Sequence, residues 1–388
     1  MVNKIENFDW NQGKSNNGLN KTIKIVEETL RDGLQGGAVK NKPNLDQMQN
    51  FLHHASDLGV DEVNIGFPAS SEMPIEIAKY ISSNLNNLSM FCTARSLIKD
   101  VIPILNLRDK VGADVYAALF VGTSPIRTMV EDWDLTALVK RSQEAVEFAT
   151  RNQLDVMFVT EDTTRTPPNI LTTMYKMAID AGASIICLAD TVGQATPDGV
   201  KNLVSHIKTS VIGDSQVQIE WHGHNDRGFA TANAIQATVS GVDRVATTAL
   251  GIGERAGNVP THEFAYNLYL QGLLGCTNLD LAHLIPYSRS ASQICKVEIS
   301  SNEPIIGSDI FITESGIHAA AIAKAETPYD ANNVYSSVDA QLFGRKQDIV
   351  VGPSSGKANV LAVLQESGVT NNISQEKINS VLLLAKNL

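Results

Sequence analysis

The stretch LDVMFVTEDTTRTPPNILTTMYKMAIDAGASIICLAD (154–190) holds two short apolar runs, LDVMFVTED (154–162) and ASIICLAD (183–190), on either side of a longer amphipathic segment. Pro168 stands near the start of that segment, where a missing N–H costs nothing. Gly182 falls at its end, just before the second run, as a left-handed helix cap does. A unit of this kind predicts two parallel strands joined by a right-handed helical crossover. The unit recurs. IKIVEETL (23–30), VDEVNIGF (60–67), SMFCTAR (89–95), DVYAALFV (114–121), VQIEWHGH (217–224) and VDRVATTALG (242–251) are six more such runs, eight in all.

The intervening segments carry helical spacing. Leu45, Met48, Phe51, Leu52 and Ala55 share one face. Leu135, Leu138, Val139, Ala145, Val146 and Ala149 share another, preceded by Asp134 as an N-cap. Pro197 repeats the role of Pro168, and Gly59, Gly112 and Gly241 repeat that of Gly182. Eight strand and helix alternations predict an α/β fold, a (β/α)8 TIM barrel, for which about 250 residues suffice. The competing architecture is a doubly wound open sheet, but its glycine-rich nucleotide fingerprint is absent after the first run. The expected division is a flexible lead-in over residues 1–20, a barrel domain over 21–275, and small, mainly helical C-terminal subdomains over 276–388. Helical pieces in the last part are expected at 280–294, 315–325, 356–367 and 374–387.

Of the 388 residues, 43% are hydrophobic and 19% charged, enough to bury a large core. The net charge of −11 argues against nucleic acid or a membrane surface as partner, since both call for a basic face. It leaves room for a small anionic substrate, because a local arginine and a metal ion outweigh the global balance. Cys92, Cys187, Cys276 and Cys295 are far apart and form no CxxC pair, so neither a disulfide framework nor a zinc ribbon is indicated. The polar start, MVNKIENFDWNQGKSNNGLN, has no apolar core of a secretory signal, and no apolar run has the length of a membrane span. A reducing cytoplasm is the expected compartment.

A barrel of this kind places its site at the C-terminal ends of the strands. The seventh run ends in His222-Gly223-His224-Asn225-Asp226. Alternate strand residues point the same way, so His222 and His224 face one side together and can share a metal, or can be two hydrogen-bonded histidines near a turn. The first run ends in Thr29-Leu30-Arg31-Asp32-Gly33. Asp32 would complete a metal site with two imidazoles and open positions for substrate, or would form a surface pair with Arg31. Strands one and seven lie close together in a closed barrel, and the joint presence of both motifs favours the metal. After the eighth run, Gly251-Ile252-Gly253-Glu254-Arg255-Ala256-Gly257-Asn258 reads as a tight loop or as backbone lying against a ligand. Glu161-Asp162-Thr163-Thr164-Arg165 and Asp190-Thr191-Val192-Gly193 end the fifth and sixth runs, where their polar residues face a site or cap the next helix.

Taken in order, TLRDG (29–33), GFPASS (66–71), EDTTRT (161–166), DTVG (190–193), HGHND (222–226) and GERAGN (253–258) resemble the signatures of the 2-isopropylmalate, homocitrate and citramalate synthases, a family of the DRE-TIM metallolyases whose relatives include the HMG-CoA lyases. The resemblance covers about residues 22–365. It implies a Claisen-type condensation of acetyl-CoA with a 2-oxo acid and one divalent ion, Zn, Mn or, less well, Mg. Asp32, His222 and His224 would be its ligands, with Asn258 at or beside it. Arg31 would face the oxo-acid carbonyl oxygen and Thr191 the substrate carboxylate. ESGIH (314–318) resembles the family motif that supplies His318 as base from a C-terminal region packed over a partner subunit's barrel, with Glu161 orienting it or sharing the role. The family's assisting tyrosine matches best at Tyr335, with Tyr329 the alternative by spacing, and GPSSGK (352–357) matches a CoA-contacting loop. A homodimer is implied by the family alone.

The chain also departs from the family pattern. RDGLQ stands where RDGEQ is more usual, and Ala118 and Arg127 stand where many isopropylmalate synthases carry histidine. An inward Arg127 would bind a second carboxylate and favour a dicarboxylic oxo acid, whereas an outward one would be solvated. Asp32 rather than glutamate favours the isopropylmalate and citramalate branch, and GFPASS the former, which uses 3-methyl-2-oxobutanoate in the first committed step of leucine biosynthesis. The alternatives are homocitrate or citramalate synthesis, cleavage as in the HMG-CoA lyases, and a non-catalytic barrel. GERAGN lacks the cysteine expected of such lyases. The leucine-binding regulatory domain that many isopropylmalate synthases carry is not seen before residue 388, so no leucine feedback is expected.

Overall fold

The computed structural model describes residues 22–369 and 373–387; the lead-in expected over 1–20 lies outside them. Eight parallel strands close into a barrel in sequence order. They are β1 (Lys24–Glu27), β2 (Glu62–Asn64), β3 (Ser89–Arg95), β4 (Tyr116–Gly122), β5 (Val156–Glu161), β6 (Ile185–Asp190), β7 (Gln218–Gly223) and β8 (Arg244–Thr247). Each overlaps one of the eight apolar runs, and the TIM-barrel expectation holds. All six residues of β6 are buried, as expected of a parallel strand covered on both faces.

Helices α1 (Leu45–Leu58), α2 (Met73–Asn84) and α3 (Ile98–Val111) follow the first three strands. A short α4 (Pro125–Val130) precedes α5 (Leu135–Arg151). Then come α6 (Pro168–Asp180), α7 (Pro197–Ile207), α8 (Ala230–Ser240), α9 (Thr261–Leu270) and α10 (Leu284–Cys295). Asp134 caps α5 by accepting the Ala137 N–H at 2.7 Å. Gly59, after α1, has φ +88°, and a Cβ there would stand 1.9 Å from the Asn278 carbonyl oxygen, so no other residue fits.

The chain divides into two compact units between Val297 and Glu298. The sequence reading ended the barrel domain at residue 275, but the first unit runs on because α10 is part of it. Tyr287 of α10 packs on Phe51 of α1, with ring centroids 5.3 Å apart, and its hydroxyl donates to the Glu27 carboxylate of β1. The second unit has α11 (Gly316–Ile322), α12 (Pro328–Asn333), α13 (Lys357–Glu366) and α14 (Gln375–Ala385). It also has two parallel strands, β9 (Ile312–Thr313) and β10 (Asp348–Ile349). The strand pair and α12 are too short to leave a periodic signal.

Inside the barrel, Val26, Phe91, Ala118, Met157, Ile185, Cys187 and Ala246 form one apolar cluster. Beside it Arg244, only 1% exposed, bridges two carboxylates, Nη1 to Glu62 at 2.8 Å and Nε to Glu220 at 3.0 Å. The Tyr116 hydroxyl donates to Glu62. Removing one partner of a buried pair strands the other charge, which costs about 3–5 kcal/mol. Arg244→Leu is therefore expected to lower the urea midpoint far more than Glu76→Gln, which breaks only the surface pair with Lys79.

Glu27 is fully buried behind β1. Burial raises its carboxyl to about 7, although hydrogen bonds from Thr29 and Tyr287 pull the other way. The folded chain thus keeps a proton that the unfolded chain loses near 4.5. Its contribution to stability is fully present below that pH and is lost as pH rises towards about 7. Glu27→Gln is expected to flatten the fall in melting temperature over that window, an effect on the order of 3 kcal/mol.

Candidate metal centre and substrate cavity

The inward face of β7 carries Glu220 and His222, and the period of two continues to His224 just beyond the strand. β1 ends at Glu27, and the chain then coils back, with the N–H groups of Arg31 and Gly33 donating to the Glu28 carbonyl at 3.1 Å each. That turn delivers Asp32 to the same rim. Its Oδ2 lies 3.3 Å from His222 Nε2 and 3.5 Å from His224 Nε2. One ligand atom from each of the three residues falls within 4.8 Å of the others, and all three are buried or nearly so.

Burial alone would raise the Asp32 carboxyl, but Arg31 and His222 beside it hold it well below the usual carboxylate range. His222 is likewise disfavoured as a cation by burial, yet the Asp32 carboxylate raises it overall. Burial, and then the charge of His222, push His224 down to about 4. Asp32 Oδ2 and Asn258 Oδ1 are buried acceptors without a hydrogen-bond partner. One carboxylate, two imidazole nitrogens and an amide oxygen suit a first-row divalent ion and leave room for substrate oxygens. These residues fit the ion that the sequence implied.

The loop after β8 holds Asn258 in place. Asn258 forms an isolated bridge with His224, and its Nδ2 donates to the Ile252 carbonyl at 3.2 Å. Gly257 has φ +89°, and a Cβ on it would stand 1.9 Å from the Gly251 carbonyl oxygen. The glycines therefore serve the tightness of the loop itself.

The three residues border a cavity of about 580 Å³. Phe67, Ala118, Phe120, Met157, Val159 and Ala189 give it an apolar wall. Arg31 also lines it, with Nη1 3.4 Å from Asp32 Oδ1. It is a half-buried cavity group, not a surface partner. Thr191 lines the cavity, and its Oγ1 accepts the Asp162 N–H at 2.8 Å. Asp190 is committed elsewhere, accepting from Thr164 and from the N–H groups of Gln194 and Ala195. Cys187 also lines the cavity, and burial pushes its thiol well up.

Arg127 lines the cavity edge, partly exposed and paired with carboxylates. Its Nη1 is 2.9 Å from Glu131 and its Nε 3.4 Å from Glu161, with Trp133 under the guanidinium at 5.4 Å. Burial raises the Glu161 carboxyl, partly offset by Arg127. In the second unit, His318 and Tyr335 stack with centroids 4.0 Å apart and planes at 28°, both exposed. Tyr329 is 59% exposed on α12.

The sequence reading missed Glu28, Asn64, Thr93 and Glu220, all of which line the cavity. Glu220 was detectable as the residue two before His222 on the same face. Glu28 was not, since Glu27 and Glu28 stand side by side at a strand end and one points outward.

The HMGL-like family model matches residues 22–290. The chain is 31% identical over 372 residues to the 2-isopropylmalate synthase of Halothermothrix orenii, covering 94% of this chain and 70% of that one. It is also 31% identical over 373 residues to the 2-isopropylmalate synthase of Pyrococcus furiosus, covering 95% and 72%. Among solved structures, the HMG-CoA lyase of Brucella melitensis matches 71% of this chain and 99% of its own, with a TM-score of 0.59 at 18% identity, a likeness of fold. Among the described residues no helix is long and apolar enough to cross a membrane.

Titration of the purified protein with Mn²⁺ or Zn²⁺ by calorimetry is expected to show one site. Asp32→Ala and His222→Ala are each expected to abolish it. Retention of ordinary affinity in both variants would place the ion elsewhere.

Proposed function

We propose, from the premise that this chain belongs to the HMGL-like family, that it condenses acetyl-CoA with 3-methyl-2-oxobutanoate and water to give 2-isopropylmalate and CoA. The observation that carries this reading is the buried group of Asp32, His222 and His224 beside Arg31 in a cavity with one apolar wall. The three residues would hold a divalent ion, Zn, Mn or Mg, with Asn258 adjacent. When bound, that ion supplies Lewis-acid polarisation of the oxo-acid carbonyl.

Arg31 faces the carbonyl oxygen and stabilises the negative charge that grows there as the carbon–carbon bond forms. The Thr191 hydroxyl already accepts the Asp162 N–H, so its own proton is left to donate to the substrate carboxylate. His318 takes the proton from the acetyl methyl group, with Tyr335 stacked against it and Glu161 orienting the imidazole. In this reading His318 and Tyr335 act at the barrel of a second copy of the chain, in a homodimer.

The cavity favours a monocarboxylic oxo acid. A second carboxylate would meet Glu28, Glu161, Glu220 and Glu254, and the Arg127 cation is already paired with two glutamates. The apolar wall suits a branched hydrocarbon side chain.

A CoA-release assay with a panel of 2-oxo acids is expected to give the highest kcat/KM with 3-methyl-2-oxobutanoate, and none after chelation. Faster release with pyruvate or 2-oxoglutarate overturns the substrate assignment. His318→Ala is expected to leave metal and oxo-acid binding intact and to cut kcat roughly 10²- to 10⁴-fold. Full activity in that variant removes His318 from the mechanism.

A further inference from the structure

Arg31 does not hold its own direction in this cavity. Its Nε and Nη2 both reach Glu28 Oε2, at 2.8 and 2.7 Å, so one whole edge of the guanidinium is taken. Glu28 is 2% exposed and lines the cavity. Its two carboxylate oxygens each accept from Asn64 Nδ2 at 3.1 Å. Asn64, fully buried on β2, is fixed in turn: Nδ2 also donates to Thr93 Oγ1 of β3 at 2.7 Å, and Oδ1 accepts the Gly66 N–H at 3.0 Å. A continuous chain of hydrogen bonds thus runs from β3 through β2 to Glu28, just after the first strand, and finishes on Arg31.

We propose that Glu28 is a positioning residue for the condensation, aiming the Arg31 guanidinium at the oxo-acid carbonyl oxygen through a hydrogen-bond chain anchored on Asn64 and Thr93. The inference rests on the reading of Arg31 given above. A side-on carboxylate removes the freedom of the guanidinium to swing about its last bonds. The edge that carries Nη1 is left towards Asp32 and the cavity. The anchoring strands are rigid parts of the barrel, whereas Arg31 itself sits in a turn, so orientation comes from the wall and not from the loop. An error of about 1 Å in such a group costs about 10²-fold in rate.

The test is a kcat and KM comparison, with Mn²⁺ affinity and melting temperature measured on every variant. Glu28→Gln keeps an acceptor but loses the charge. It is expected to lower kcat roughly 10- to 100-fold, with the KM for acetyl-CoA and the Mn²⁺ affinity unchanged. Thr93→Val cuts the far end of the chain without touching Arg31 and is expected to lower kcat by a smaller factor in the same direction. Wild-type kcat in Glu28→Gln, or a loss of Mn²⁺ affinity in it, overturns the proposal. If Glu28→Gln does not fold, Thr93→Val decides alone, and an unchanged kcat there overturns it. A wild-type enzyme that releases no CoA with any oxo acid overturns the proposed function instead.

Discussion

The seam between the first and last strands is the constraint on which the site depends. Lys24 to Glu27 pair in parallel with Arg244 to Thr247, and only that closure carries the turn after β1 to the side of β7. Asp32 and the two histidines come from opposite ends of the barrel sequence, and no local structure could bring them together. Tyr287 and Glu27 clamp the seam from outside, and the pairing of Arg244 with Glu62 and Glu220 ties it from within. The geometry of the cavity and the stability of the barrel therefore share a residue. Glu220 pairs with Arg244 on one side and borders the substrate cavity on the other.

Most of the architecture was legible because each barrel strand lies in a largely apolar run, and several of the helices between them begin at proline or end at glycine for a steric reason. The histidine pair was legible because a strand has a period of two. What was not legible depends on contacts far apart in sequence. The barrel unit extends past residue 275 because Tyr287 reaches a carboxylate 260 positions earlier, and nothing near residue 287 announces this. Arg127 could be read as inward or outward because its position is set by Glu161 on the next strand and by Glu131 one helical turn on. Glu28 was silent for a different reason: of two adjacent glutamates only one faces the cavity, and the turn after β1 decides which.

The electrostatic character of the cavity is also a tertiary property. The chain is acidic overall, and so is the cavity lining, where Glu28, Asp32, Glu161, Glu220 and Glu254 outnumber Arg31 and Arg127. Both arginines are paired with more than one carboxylate. Such a cavity attracts a cation more readily than an anion, and an anionic substrate gains most where a divalent charge can sit. In the proposed reaction, selection among oxo acids would then fall to the apolar lining.

Cys187 gives the cavity a further property. A sulfur borders the cavity, and thioester exchange with a protein sulfur proceeds through the thiolate. Burial, and then the Glu220 carboxylate beside it, push this thiol well above its ordinary range. In the proposed condensation, a thiol kept protonated there would be a weak nucleophile towards the acyl thioester, and a poor target for alkylating agents.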